Sequence, residues 1–245
     1  MLNIFKKYRN TYFSENIITE RVYENLQWNN TIETVQNAVL NNQISNQAVV
    51  FGNGIGRDRF DINLILNHSG GLLGSKTLQT YGCNAIYRDH AVDFLVATDR
   101  DIAQEIVNSG YCQKNIVYTR VLNTLEFPRN FYLIPNDPYA DAGTTALYIA
   151  CFDGHQKVFL LGFEGQDTAG YNYNVYSDSN GYDATEAPVE QAKWIANQAR
   201  VFSIFNEVDF VIVSEAGRTP LPTSWKYLTN VRQINFRDFV LEADL

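Results

Sequence analysis

The sequence predicts an α/β domain built on a mostly parallel sheet flanked by helices. Three observations carry this. Seven short apolar runs rich in β-branched residues recur from Gln47 onward, stretches of helical periodicity separate them, and one connection is far too long and polar for an ordinary loop. Continuous apolar strands alternating with amphipathic helices are what a parallel sheet covered on both faces requires. The reading is a single Rossmann-like domain over residues 47–245 with a long lid loop, preceded by a helical N-terminal lead-in over 1–46 packed on the core.

The lead-in is polar and rich in Asn, with helical signals from Ser14 to Asn25 and again from Thr31, where Ile32, Val35, Val39 and Leu40 share a face. Strands are expected at 48–51, 77–81, 92–97, 115–118, 157–161, 209–213 and 231–236, and helices at about 59–67, 100–109, 142–153 and 188–206. The odd segment is Phe163–Ala187, with Gly165, Gly170, Gly181, several Asp and the run Tyr171-Asn-Tyr-Asn-Val-Tyr176. A loop after the 157–161 strand lies at the carboxyl edge of the sheet, where open α/β folds bind ligands, so it is a candidate lid. A surface excursion is the alternative.

Composition narrows the function. With 45% apolar residues the chain can bury a sizeable core, and 27 acidic against 19 basic side chains give a net charge of −8 that disfavours nucleic acid. No run approaches the roughly 20 apolar residues of a membrane span, and Met1–Arg9 lacks the apolar block of a signal peptide. A cytoplasmic protein without an integral membrane segment is expected. Cys83, Cys112 and Cys151, odd in number and far apart, read as reduced core residues.

Four constellations could carry chemistry. The first strand runs into Gly52-Asn53-Gly54-Ile55-Gly56-Arg57, where glycines allow close backbone approach and amides can face a phosphate, aided by the positive end of the following helix. GxGxG is not the dinucleotide GxGxxG, and a tight turn without ligand also explains it. After the second strand, Gly82-Cys83-Asn84-Ala85-Ile86-Tyr87-Arg88-Asp89 offers Asn84 to a base, ribose or phosphate and Arg88 to a phosphate. The plain alternative is an Arg88–Asp89 surface pair with Asn84 as a cap. Thr98-Asp99-Arg100-Asp101 ends the third strand, and Asp99 and Asp101 could chelate Mg or Mn bridging nucleotide phosphates, or merely start a helix. Finally Asp141-Ala-Gly143-Thr144-Thr145 opens an apolar helix whose amides and hydroxyls could reach an anionic or sugar group, or whose small residues serve packing.

His68, His90 and His155 are the only imidazoles; His68 and His155 fall at helix ends, where capping is expected. No GxSxG, HExxH, paired-cysteine or Walker lysine motif is present, so hydrolase, metalloprotease and P-loop readings lack support.

In order along the chain, Gly52-Asn53-Gly54, Cys83-Asn84-Ala85-Ile86-Tyr87, Ala142-Gly143-Thr144 and Val158-Phe-Leu-Leu-Gly-Phe163 resemble the GNGPS, RCNxxY, TSG-helix and IYLxGIDFY blocks of bacterial lipooligosaccharide sialyltransferases. The resemblance covers residues 47–165. It implies a glycosyltransferase in which Asn53 and Asn84 contact a cytidine nucleotide, the helix start at Gly143–Thr145 lies beside the donor, and Tyr171 or Tyr173 assists departure of the phosphate. It also implies a general base between Gly165 and Pro188; that stretch holds no histidine, which leaves Glu164, Asp167 or Asp183, or the distant His90. The GNG start and Thr98–Asp101 also resemble pterin pyrophosphokinase relatives, implying diphosphotransfer from ATP, and the GCNAIYRD block is similar to uncharacterised marine phage proteins. The partners expected are thus a nucleotide or nucleotide sugar and a small-molecule or glycan acceptor. An inactive module, with Tyr171, Tyr173, Tyr176 and Tyr182 forming an interface, is the reading from another class.

Overall fold

The computed structural model describes residues 4–12, 15–24, 27–36, 45–69, 78–135, 137–163, 174–182, 191–215 and 219–245. Three strands open the chain, β1 (Ile4–Tyr12), β2 (Glu15–Glu24) and β3 (Gln27–Gln36). The alternating part follows as β4 (Gln47–Phe51), α1 (Ile62–Ser69), β5 (Gln79–Cys83), β6 (Phe94–Val96), α2 (Arg100–Ser109), β7 (Ile116–Thr119), α3 (Val121–Glu126) and β8 (Tyr132–Leu133). It continues through α4 (Ala142–Phe152), β9 (Lys157–Leu161), α5 (Gln191–Ile204), β10 (Asp209–Val213), β11 (Val231–Ile234) and α6 (Phe236–Glu242).

All eight strands from β4 to β11 are parallel and pair in the order β11-β10-β9-β4-β5-β6-β7-β8. Alternate side chains serve opposite faces. Ala48, Val50, Tyr81, Val158, Leu160, Phe210 and Ile212 pack with α4 and α5, while Val49, Phe51, Phe159, Leu161, Val211 and Val213 pack with α1, α2 and α6. Helix α4 is buried along nearly its whole circumference, which explains why its sequence is apolar throughout. The expected α/β sheet is therefore present, and it also includes β8, α3 and α6, which the sequence reading left out. Among the described residues no helix is long and apolar enough to cross a membrane.

The helical lead-in is corrected: residues 4–12, 15–24 and 27–36 form β1, β2 and β3, paired antiparallel in that order. β1 joins the parallel sheet at one residue pair, Lys6 beside Leu133. Ile17, Ile18, Thr19, Val22 and Tyr23, then Trp28, Thr31, Ile32, Thr34 and Val35, are β-branched or aromatic. Such side chains lose χ1 freedom in a helix and suit a pleated surface, so they outweigh an accidental helical spacing.

From β4 the chain winds outward through β5 to β8, and α4 then returns it to β9 on the other side of β4. The connections after β4 and β9 lead to helices on opposite faces, α1 and α5, and such a switch point is where ligands bind in open α/β sheets.

At the opposite edge, His155 lies just past α4 and is 1% exposed. It does not cap the helix: its Nδ1 is 3.1 Å from the Ser45 carbonyl and its Nε2 3.0 Å from the Tyr81 hydroxyl, which also lies 2.7 Å from Asp153. A carbonyl only accepts, so the neutral ring carries its proton on Nδ1. Burial lowers the His155 pKa to about 4. The unfolded chain therefore takes up a proton first, and stability is expected to fall by about 3 kcal/mol as pH drops from 6.5 to 4. Glu105 and Glu242, held at about 2 by hydrogen bonds from Arg88 and Arg232, lose their contribution only below about 4.5. Urea denaturation at pH 7, 5.5 and 4 checks this, with His155→Gln flattening the upper part of the curve; an unchanged slope in the variant contradicts it.

Candidate functional site at the carboxyl edge

The switch point is a backbone crossing. Gly52 N–H donates to Leu161 O at 2.8 Å and Gly54 N–H to Gly162 O at 2.9 Å, so the turn after β4 lies directly on the turn after β9. A Cβ on Gly52 would sit 2.2 Å from Gly162 O, and Gly162 itself has φ +80°. These glycines permit chain approach, and the amides of Gly52 and Gly54 are spent inside the fold. The expected phosphate cradle is therefore without these two amides. The following residues, Ile55–Arg59 with Gly56 among them, form a 3-10 turn, and α1 starts only at Ile62, so no helix dipole is aimed at the glycines.

Arg57 is the residue that sequence reasoning missed. It is 2% exposed, and its Nη1 donates to Gly52 O at 2.7 Å and Asn53 Oδ1 at 3.2 Å, its Nη2 to the Tyr176 hydroxyl at 2.7 Å. All of these partners are neutral oxygens, and its buried Nε has no hydrogen-bond partner. The Tyr176 hydroxyl in turn donates to Asp89 at 2.8 Å, so a buried guanidinium reaches a carboxylate through one phenol. Nothing in GNGIGR announces this, because the 3-10 turn that aims Arg57 inward has no helical periodicity.

Asn53 and Asn84 stand at the ends of adjacent strands. Asn84 has φ +46°, a left-handed conformation that Asn tolerates better than most residues. Its Oδ1 accepts the Thr98 N–H at 3.3 Å, and its Nδ2 donates to Asp99 at 2.5 Å. Asn53 Nδ2 donates to the Tyr182 hydroxyl at 3.0 Å. Cys83, between them, donates to Phe51 O at 3.5 Å; burial pushes its thiol up to about 12, which makes it a packing residue rather than a nucleophile.

The other candidates are drawn into structure. Arg88 forks onto Glu105 (2.6 and 2.7 Å) and also donates to Ser179 and to Asn180 O, while Tyr87 donates to the same Glu105. Its guanidinium thus clamps the chain at 179–180 to α2 in place of a surface pair with Asp89. Asp99 is the N-cap residue of α2 and faces Asn84, whereas Asp101 faces Arg100 at 3.3 Å. Among the described residues no group of three or more His, Cys, Asp or Glu could hold a metal ion, so the Mg or Mn expectation gains no donor set. At α4 the Asp141 carboxylate caps the helix by accepting the Thr144 N–H and hydroxyl at 2.8 and 2.7 Å, and the Thr145 hydroxyl donates to Asp141 O at 2.8 Å. Both threonines are fully buried, and Gly143 packs beside Phe163; these hydroxyls hold the helix start and do not point outward.

The described part of the expected lid, 174–182, covers this edge. Gly54 bridges Asn174, Val175 N–H donates to Asn53 O at 2.9 Å, and Tyr176 and Tyr182 lie inward with ring centroids 6.0 Å apart. The catalytic candidates Glu164, Asp167, Tyr171 and Tyr173, and Asp183 with them, lie outside the described residues. Comparison with family models, with curated proteins and with solved structures finds no match to this chain.

Proposed function

We propose that this chain is a nucleotide-dependent group transferase, most nearly a glycosyltransferase, that binds a nucleotide sugar at the carboxyl edge and passes the sugar to a small-molecule or glycan acceptor. The observation that carries it is the placing of Asn53 and Asn84 just past the carboxyl ends of adjacent strands beside the switch point, beneath a tyrosine-bearing cover that Asn53 meets at the Tyr182 hydroxyl. Amide side chains suit a base or ribose, since each offers both donors and an acceptor. Catalysis on such a site is positioning, with charge stabilisation of the departing nucleotide. Glu164 or Asp167 would take the acceptor proton, and Tyr171 or Tyr173 would face the leaving phosphate. The three free cysteines suit work in a reducing, cytoplasmic compartment.

Thermal shift with CMP, CDP, UDP, GDP, ADP and ATP, each with and without Mg or Mn, tests this reading. The expected result is stabilisation by CMP without metal, approaching about 2.7 kcal/mol at 100 times the dissociation constant. Asn53→Ala is expected to weaken binding roughly tenfold, the value of about one good hydrogen bond to a ligand. A metal-dependent response to ATP favours diphosphotransfer, and silence toward every nucleotide in folded protein removes the proposal.

A further inference from the structure

An asparagine amide can present either end to a ligand, but at this edge both amides are fixed by groups that can only donate. Arg57 has no acceptor, so the Asn53 atom 3.2 Å from its Nη1 is Oδ1, and the Asn53 NH2 is turned away from it toward the Tyr182 hydroxyl at 3.0 Å. A backbone N–H likewise only donates, so Asn84 turns its Oδ1 to the Thr98 N–H at 3.3 Å and its NH2 to the Asp99 carboxylate at 2.5 Å.

The two asparagines differ in reach. Asn53 is half-buried, and its Nδ2 has a second hydrogen beyond the one that Tyr182 accepts. Asn84 is 8% exposed with both ends of its amide engaged, so what it brings to the edge is the group it holds, Asp99. Continuing the β4–β5 register by two residues sets Asn53 beside Asn84, one strand spacing or about 5 Å apart.

Asp99 is itself withheld from its ordinary partners. As the N-cap residue of α2 it would be expected to accept an amide of the first turn, a bond worth about 1 kcal/mol, yet its side chain makes none. Among the described residues it has no ion pair either, since the neighbouring Arg100 turns to Asp101 and Glu126. The result is an exposed carboxylate at the carboxyl edge, steered by a buried amide on one oxygen and with its acceptor capacity otherwise unspent.

We propose that Asn53 and Asp99 meet the ligand as a donor and an acceptor of fixed polarity, and that Arg57 and Asn84 are the positioning residues that fix them. This rests on the nucleotide reading above and narrows it. The complement of such a pair accepts at one end and donates at the other, as a ribose hydroxyl or the amino edge of cytosine does. A phosphate offers only acceptors and would be set against the Asp99 charge, so this part of the edge reads the nucleoside. Asp99 then serves as a hydrogen-bond acceptor for the ligand and not as a metal ligand.

Calorimetric titration of the wild-type chain and Asp99→Asn with CMP, 2′,3′-dideoxy-CMP and UMP tests it. In the variant the Asn84 NH2 holds the one remaining oxygen, and an NH2 is left to face the ligand. CMP is expected to bind the variant about tenfold more weakly, the equivalent of one hydrogen bond. A wild-type preference for CMP over dideoxy-CMP that vanishes in the variant places the donor on the ribose; a vanished preference over UMP places it on the cytosine amino group. Equal or tighter binding of CMP by the variant overturns the inference, as does a preference that survives or a loss that is the same for all three ligands. So does a CMP affinity that rises with Mg in the wild type alone, which would make Asp99 a metal ligand. Asn84→Gly keeps the φ of +46° accessible and releases Asp99 to cap α2. It is expected to erase the same preference and to slow hydrogen exchange at the Asp101 and Ile102 amides; unchanged or faster exchange there would show that Asn84 does not hold Asp99 off the helix. A wild type that binds none of the three ligands removes the nucleotide reading, and the pair falls with it.

Discussion

Gly52→Ala is expected to cost about 3 kcal/mol or more, enough to unfold much of the chain, with a large drop in the urea midpoint. The added methyl would lie 2.2 Å from Gly162 O, 2.9 Å from Gly162 C and 3.1 Å from the Phe163 ring. Backbone cannot step aside here. Gly162 O accepts from Gly54 N–H, Leu161 O accepts from Gly52 N–H, and the preceding pair Phe51–Leu161 is in the sheet register. Relief would require peeling β4 from β9 at the centre of the sheet. Gly110→Ala is the contrast: its φ of +72° is foreign to alanine, which is not so at Gly52, but nothing lies within 4 Å of its Cβ, so only about 1 kcal/mol of backbone strain is expected. Equal small losses for the two variants would show that the crossing is not the constraint.

The second large effect belongs to Arg57. Replacing it with Met keeps the aliphatic stem and removes the donors to Gly52 O, Asn53 Oδ1 and Tyr176 Oη. Two buried acceptors then lose a charged donor, and a loss of about 3 kcal/mol is expected. Arg57→Lys is not a rescue, because one ammonium cannot serve both the Gly52 carbonyl and the phenol in the geometry of a planar fork. Tyr176→Phe should cost about 1 kcal/mol, and the double variant should show coupling of about 1 kcal/mol, since both act through one hydrogen bond. Hydrogen exchange resolves the local consequence: residues 174–182 should lose protection in Arg57→Met while the β9 and β10 amides keep theirs. Unaltered protection of 174–182 would mean that Arg57 does not hold the cover.

How much of this was legible in the sequence depends on which force decides each element. Apolar runs such as Lys157–Leu161 and Asp209–Val213 are buried on both faces, so burial alone sets their bounds and the reading matches the structure there. Tyr132–Leu133 is a strand of two residues, too short for any pattern, and exists because Tyr118 and Thr119 of β7 pair with it. In β1, β2 and β3 side-chain type decides the strand state against an accidental helical spacing. At the site, Asn53 and Asn84 stood out as polar groups at strand ends, a position that topology turns into a shared edge. What spacing could not tell was how each group is used: Arg88 as a clamp, Thr144 as a capping partner, Gly52 as clearance for another backbone. The uses of Arg88 and Gly52 are set by chain segments about 90 to 110 positions away, Ser179 and Asn180 for Arg88 and Gly162 for Gly52, whereas that of Thr144 is set by Asp141 just before it.

The placing of β4 between β5 and β9 also has a temporal side. Ala48 pairs with Gln79 on one flank but with Val158, 110 positions later, on the other. At about 5–20 residues per second a ribosome takes roughly 5 to 20 s to bring the second partner out. During that interval β4 can dock β5, β6 and β7 but shows a row of unpaired amides and carbonyls along its other side. The strand most deeply enclosed in the finished protein is thus a boundary strand for part of its synthesis, and mispairing with a neighbouring nascent chain is a hazard of that period rather than of the mature fold.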